Sequence, residues 1–211
     1  MELFVTVLEI IGTVAFAASG AMTAMKKHMD LLGIVVLGIV TAVGGGIIRD
    51  LILGITPPLA FRDPCNALIA TATAIVMFLP WVRHALVKNL KFFDATLRIM
   101  DTLGLGIFTV LGIRTAILHT ADHPLFLLIF VGVITGVGGG VLRDVLSGNM
   151  PYIFVKHIYA CASLVGAVIC VLLWDVIPAN AAMLIGAVVI IAIRLLSAKF
   201  RWNLPRVEED I

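Results

Sequence analysis

Apolar stretches separated by short polar breaks run the whole length of this chain. Seven stand out, at roughly 3–25, 31–53, 64–82, 95–118, 124–146, 158–174 and 180–197. A membrane-crossing helix needs roughly 20 mostly apolar residues, so the pattern predicts an all-α integral membrane protein with seven transmembrane helices. The breaks hold residues that meet water or stop helices. They are Lys26-Lys27-His28-Met29-Asp30, Thr56-Pro57-Pro58 with Arg62-Asp63-Pro64, Pro80 to Lys91, His119 to Pro124, and Asp175-Val176-Ile177-Pro178. The first stretch contains Phe16-Ala17-Ala18-Ser19-Gly20-Ala21, with the small residues of a cleavage site, but Met1-Glu2-Leu3 lacks a basic leader. It is expected to be a retained span.

Lys and Arg set the expected orientation, because cytoplasmic loops carry the excess of them. With the N-terminus outside, the inward segments hold Lys26, Lys27, Arg83, Lys88, Lys91, Lys156, Lys199, Arg201 and Arg206, and the outward ones hold Arg62. The C-terminus is then cytoplasmic, with residues 199–211 as a short solvated tail. Trp81, Trp174 and Trp202 fall near span ends, at the headgroup level that indoles prefer.

Composition adds exclusions. The chain is 61% hydrophobic and 13% charged, with a mean hydropathy of +1.13, so lipid is its solvent and no soluble domain is expected. A net charge of +2 is too small to suggest nucleic acid as a partner. Cys65, Cys161 and Cys170 have no metal-ligand spacing and read as small buried hydrophobes. His119 and His123 stand four apart but lack a third ligand, so neither metal nor cofactor is expected. No GxSxG, HExxH or Walker A motif occurs, which leaves no reading as an enzyme.

Self-similarity is the strongest signal. Thr41, Gly44, Gly45, Gly46, Arg49, Asp50, Gly54 and Pro57 recur as Thr135, Gly138, Gly139, Gly140, Arg143, Asp144, Gly148 and Pro151, each 94 residues on. Glu9, Gly12, Phe16 and Gly20 recur as Asp101, Gly104, Phe108 and Gly112, 92 residues on. The chain therefore divides into a first three-helix repeat over 1–92, a second over 93–176, a seventh helix over 177–198 and the tail. Three spans per unit make the second copy enter the membrane from the opposite side, an inverted repeat.

Each glycine costs a helix interior about 1 kcal/mol relative to alanine. Three in a row at mid-span predict a broken or kinked helix whose freed backbone groups face protein, water or a passing ligand. Gly12, Gly20, Gly104 and Gly112 lie on single helix faces and read as close helix packing. Arg49, Asp50, Arg143 and Asp144 follow the triplets, and an intramembrane charge costs on the order of 3 kcal/mol even on a lenient scale. They face inward or reach an interface, either along a transport path or in structural pairs. Adjacent helical residues diverge by about 100°, so Arg49 and Asp50, and Arg143 and Asp144, are expected each to pair with a neighbouring span or to face a water-filled cavity. Arg98, three residues before Asp101, is that residue's expected partner.

The doubled Gly-Gly-Gly-x-x-Arg-Asp and the three-plus-three-plus-one layout resemble the prokaryotic branch of the trimeric intracellular cation (TRIC) channel family, over Glu9 to about Leu196. The resemblance implies a homotrimer in the bacterial inner membrane, each protomer with its own pore for monovalent cations, chiefly potassium. It places Gly44–Gly46 and Gly138–Gly140 at kinks in pore-lining spans 2 and 5. Arg49, Asp50, Arg143 and Asp144 become gate or pore-electrostatics residues. Membrane lipids are the other expected partners. Bacterial chains with this duplicated domain are also linked to glycine uptake, so a carrier for glycine or a similar zwitterion is the alternative, and a scaffold with merely packing glycines the third.

Overall fold

Helices are the only regular secondary structure among the described residues of the computed structural model, which are 2–122, 124–155, 158–200 and 202. In chain order they are α1 (Glu2–Lys26), α2 (Leu31–Ile52), α3 (Leu59–Arg62), α4 (Cys65–Phe78), α5 (Pro80–Val87), α6 (Leu90–His119), α7 (Leu125–Leu146), α8 (Tyr152–Val155), α9 (Ala160–Leu173) and α10 (Ala179–Phe200). Among the described residues, α1, α2, α6, α7 and α10 are long and apolar enough to cross a membrane, and α4 with α5 makes a sixth if the bent pair is one span. A 22-residue helix such as α2 rises about 33 Å, the thickness of a bilayer's hydrocarbon layer.

Two expected spans differ in form. The stretch at 64–82 bends by 73° between α4 and α5. Pro80 opens α5, where its missing N–H and its ring end the preceding helix. The stretch at 158–174 yields α9, of 14 residues. The tail beyond Phe200, apart from Trp202, lies outside the described residues, as do Lys156, Arg201 and Arg206 of the orientation argument and His123.

Local chemistry starts and ends the long helices. Asp30 opens α2, its Oδ1 accepting from Gly33 N at 2.8 Å, and Asn89 opens α6 by accepting from Lys91 N and Phe92 N. The ends of α2 and α7 are copies of one another. Ile55 N donates to Asp50 O and Gly54 N to Leu51 O, as Asn149 N does to Asp144 O and Gly148 N to Val145 O. Gly54 and Gly148 carry the positive φ, 72° and 66°, that this helix-ending motif requires. That explains why the glycine and the following proline recur with the Arg-Asp pair.

Helices α1, α2, α6 and α7 form the centre, with α4 against α1 and α2, α9 against α6, α7 and α10, and α10 also against α6. The outside is apolar: Leu3, Val7, Ile11 and Val14 make an exposed stripe along α1, as expected where the solvent is lipid.

Backbone contact sets the central crossing. Neither triplet opens its helix; α2 and α7 run as α-helix through both, which corrects the expectation of a break. A Cβ on Gly45 would collide with Thr135 O, and one on Gly139 with Thr41 O. Gly44 faces Leu142 and Gly138 faces Ile48. Exchanging each residue for its counterpart 94 positions away returns the same contacts. The glycines thus let two unbroken helices touch main chain to main chain, and that contact offsets their poor helix propensity. Gly12 lies against Ile107 and Phe108, Gly104 against Phe16, Gly20 against Thr41 and Gly38, and Gly112 against Thr135 and Gly132. Phe16 and Phe108 meet with ring centroids 5.2 Å apart.

Within one triplet the positions differ, which gives a test. Gly45→Ala and Gly139→Ala are expected to lower stability in detergent by about 3 kcal/mol each, the upper part of the overpacking range. Gly46→Ala, whose Cβ would meet nothing nearer than Arg49 Nη2 at 3.7 Å, should cost below about 1 kcal/mol. Thermal unfolding followed by circular dichroism measures both; equal losses at 45 and 46 would remove the crossing as the constraint.

Candidate functional site

The third glycine of each triplet faces charge. A Cβ on Gly46 would point at Arg49, and one on Gly140 would meet Tyr159 Oη at 2.9 Å, Asp101 Oδ1 at 3.6 Å and Arg143 Nη2 at 3.7 Å. Arg49 Nε donates to Asp50 Oδ1 at 2.8 Å and Nη2 lies 2.7 Å from the same oxygen. Arg143 Nε donates to Asp144 Oδ1 at 2.9 Å. Adjacent residues therefore do pair, contrary to the expectation from helical divergence. The arginine side chain is long enough to fold back over the neighbouring carboxylate, and burial leaves the aspartates little water to prefer. Asp50 Oδ2 is then free to accept from Leu59 N at 2.8 Å, and Asp144 Oδ2 from Tyr152 N at 3.0 Å. Each carboxylate thus ties its arginine to the start of the short helix that follows.

Beyond this shared unit the two ends part. At one, Arg143 Nη1 donates to Asp101 Oδ1 at 2.6 Å and to Ser19 Oγ at 2.5 Å, and Tyr159 Oη donates to Asp101 Oδ1 at 3.3 Å. Arg143, Asp101 and Asp144 are all buried. Asp101 therefore pairs across the protein with Arg143, while the expected local partner Arg98 is exposed. Arg194 of α10 completes the group, its Nη2 3.9 Å from Asp101 Oδ2 and its Cζ 4.5 Å from the centre of the Tyr159 ring. Sequence reasoning missed Arg194, Ser19 and Tyr159. The one signal for Arg194 was a lone cation deep in an apolar stretch.

At the other end, Glu9 stands where the repeat places Asp101. No ion pair within 4.0 Å joins it to Arg49 among the described residues, and a cavity of 290 Å³ opens there, lined by Glu9, Thr13, Arg49, Asp50, Asp63 and Asn66. A larger hollow of 1350 Å³ lies away from both pairs, between Lys26, Trp81, Arg83 and Lys88. Its apolar walls and basic rim hold none of the repeated charges, so the smaller cavity is the one bearing on the site. Cys170 is buried, but Cys65 is exposed at the start of α4.

Fold and site together define a polytopic helical membrane protein built around two Arg-Asp pairs, one buried and one at a cavity, that flank a glycine crossing. The chain belongs to the family described as "Glycine transporter", whose model matches residues 6–81 and 98–175. It is 37% identical to the UPF0126 inner membrane protein YadS of Escherichia coli K12 over 200 residues, 93% of this chain and 92% of that one. A structure solved to explain conductance through TRIC cation channels aligns with a TM-score of 0.84 and 34% identity over 98% of both chains. The TRIC trimeric intracellular cation channel orthologue of Rhodobacter sphaeroides aligns with a TM-score of 0.82 and 33% identity, over 94% of this chain and 98% of that one. The family and these structures describe a transporter and channels rather than an enzyme.

The buried cluster has a measurable consequence. Asp101→Asn is expected to cost about 3–5 kcal/mol, since it leaves Arg143 and Arg194 buried with one carboxylate fewer. Asp94→Asn, at the exposed pair with Lys26, should change stability by less than about 1 kcal/mol. Denaturant unfolding of the two variants in one detergent compares them directly.

Proposed function

We propose that each protomer of a homotrimer in the bacterial inner membrane carries its own conduction path for monovalent cations, potassium foremost, lined by α2 and α7. The observation that carries this reading is the crossing with an Arg-Asp pair on either side, one buried and one at a cavity. A bare arginine is a barrier to a cation, but Arg49 is neutralised by Asp50 and Arg143 by Asp144 and Asp101. With Glu9 and Asp63 the cavity at the Arg49 end carries more carboxylates than guanidiniums near the path, a field that concentrates cations. The similar structures are of TRIC cation channels, and a trimer follows from that likeness.

In this reading residues 1–92 and 93–176 are inverted repeats, α9 makes the sixth crossing and α10 the seventh, and the N-terminus lies outside with residues 199–211 in the cytoplasm. Helices α2 and α7 flex at Gly44–Gly46 and Gly138–Gly140 when the path opens, while Gly12, Gly20, Gly104 and Gly112 hold α1 and α6 against their neighbours. Arg49, Asp50, Arg143 and Asp144 set the electrostatics of the path.

A second reading is a carrier for glycine or a similar small zwitterion. The description of the family favours it, and so does a site open at one end and sealed at the other, the form an alternating carrier takes. Purified protein in liposomes separates the two. Voltage-driven potassium flux with resolved single-channel steps is expected; saturable glycine counterflow without such steps would put the carrier in its place.

A further inference from the structure

The two ends of the site come from duplicated sequence, yet one is sealed and the other holds a cavity. Part of the difference is a residue that the duplication did not supply. Arg194 sits on α10, which has no counterpart in the repeat, and its side chain is 4% exposed. It lies over the face of Tyr159, whose hydroxyl donates to Asp101, and it faces the second oxygen of the same carboxylate. At the Arg49 end Glu9 makes no ion pair within 4.0 Å among the described residues and borders the cavity with Arg49 and Arg62, and where Ser19 meets Arg143 the repeat places Leu111 beside the cavity.

The cluster is also incompletely satisfied. Asp101 Oδ2, Arg143 Nη2, and Arg194 Nε and Nη1 are buried without a hydrogen-bond partner among the described residues. Buried donors and acceptors left unpaired cost free energy.

We propose that Arg194 is the latch that keeps the Arg143 end of the path shut. This rests on the reading that the path runs between α2 and α7. With Arg194 and Tyr159 in place, Asp101 is hydrogen-bonded through Oδ1 and faced by Arg194 at Oδ2, and α10 packs onto α6 and α9. A permeating cation, or the ammonium of a zwitterion, reaches Asp101 only after Arg194 withdraws. The seventh helix thereby controls one end of a path that the two repeats would otherwise build alike.

Accessibility at Ser19 tests the latch without regard to what is transported. In a background with Cys65, Cys161 and Cys170 replaced by serine, Ser19→Cys reports solvent entry beside Arg143 through its rate of modification by a methanethiosulfonate reagent. Adding Arg194→Gln is expected to raise that rate about tenfold, the effect of losing one charge-assisted contact, and Arg194→Lys should bring it back toward the starting value. An unchanged rate in Arg194→Gln overturns the proposal. Faster labelling without any rise in potassium or glycine flux keeps the latch and removes the transport reading instead. If Arg194→Gln fails to insert, Tyr159→Phe carries the test with the same two outcomes, because it removes only the hydroxyl on Asp101 and keeps the ring.

Discussion

Main-chain contact between α2 and α7 is the condition on which the other features of this protein rest. Thr135 O lies where a side chain at position 45 would stand, and Thr41 O where one at 139 would stand. Only glycine permits that approach, and in a membrane, where lipid tails are as apolar as the helices, close packing supplies the association that water-driven burial cannot. Once the crossing is made, the third glycine of each triplet and the Arg-Asp pair one turn further are carried to opposite sides of it. Thr41 and Thr135 each turn their Oγ1 back to a carbonyl four residues earlier at 2.6 Å, and these hydroxyls lie against Gly20 of α1 and Gly112 of α6.

The charges follow from this geometry and from the low dielectric around it. A carboxylate or guanidinium at this depth persists only with partners close by, and each Asp has two: its preceding arginine and the first amide of the short helix that follows. The duplicated motif is therefore one structural device from crossing glycine to helix end. Gly54 and Gly148 turn the chain so that the amides of Leu59 and Tyr152 return to Asp50 and Asp144.

Symmetry holds in the motif and fails around it. Position 101 bears an aspartate sealed between two arginines and a tyrosine, while its counterpart Glu9 borders a cavity. A channel closed at one end and a carrier open to one side share this form, so the static arrangement suits both readings. What distinguishes them is whether the sealed end stays coupled to the open one, and α10, which carries Arg194, lies at the sealed end.

Much of the fold was legible without coordinates. Hydropathy located the apolar stretches, the recurrence 94 residues apart marked the glycines and charges that the structure brings to the crossing, and the cost of burying a charge turned those charges inward. These are local properties: a run of apolar residues needs only its own neighbours to make lipid its preferred solvent. The form of two stretches was not legible, since the 73° turn at Pro80 and the shortness of α9 depend on what surrounds them. Contiguity of the glycines was read as a sign of an opened helix, when it serves two faces at once, one for the crossing and one for the charges. Partner choice was the least legible. Arg143 meets an aspartate 42 residues away and a serine 124 residues away, and Arg194 joins them from a helix outside the repeat. Sequence determined that buried charges must be paired; only the packed helices decided with whom, because an ion pair forms by distance in space and burial removes the water that could otherwise stand in for a partner.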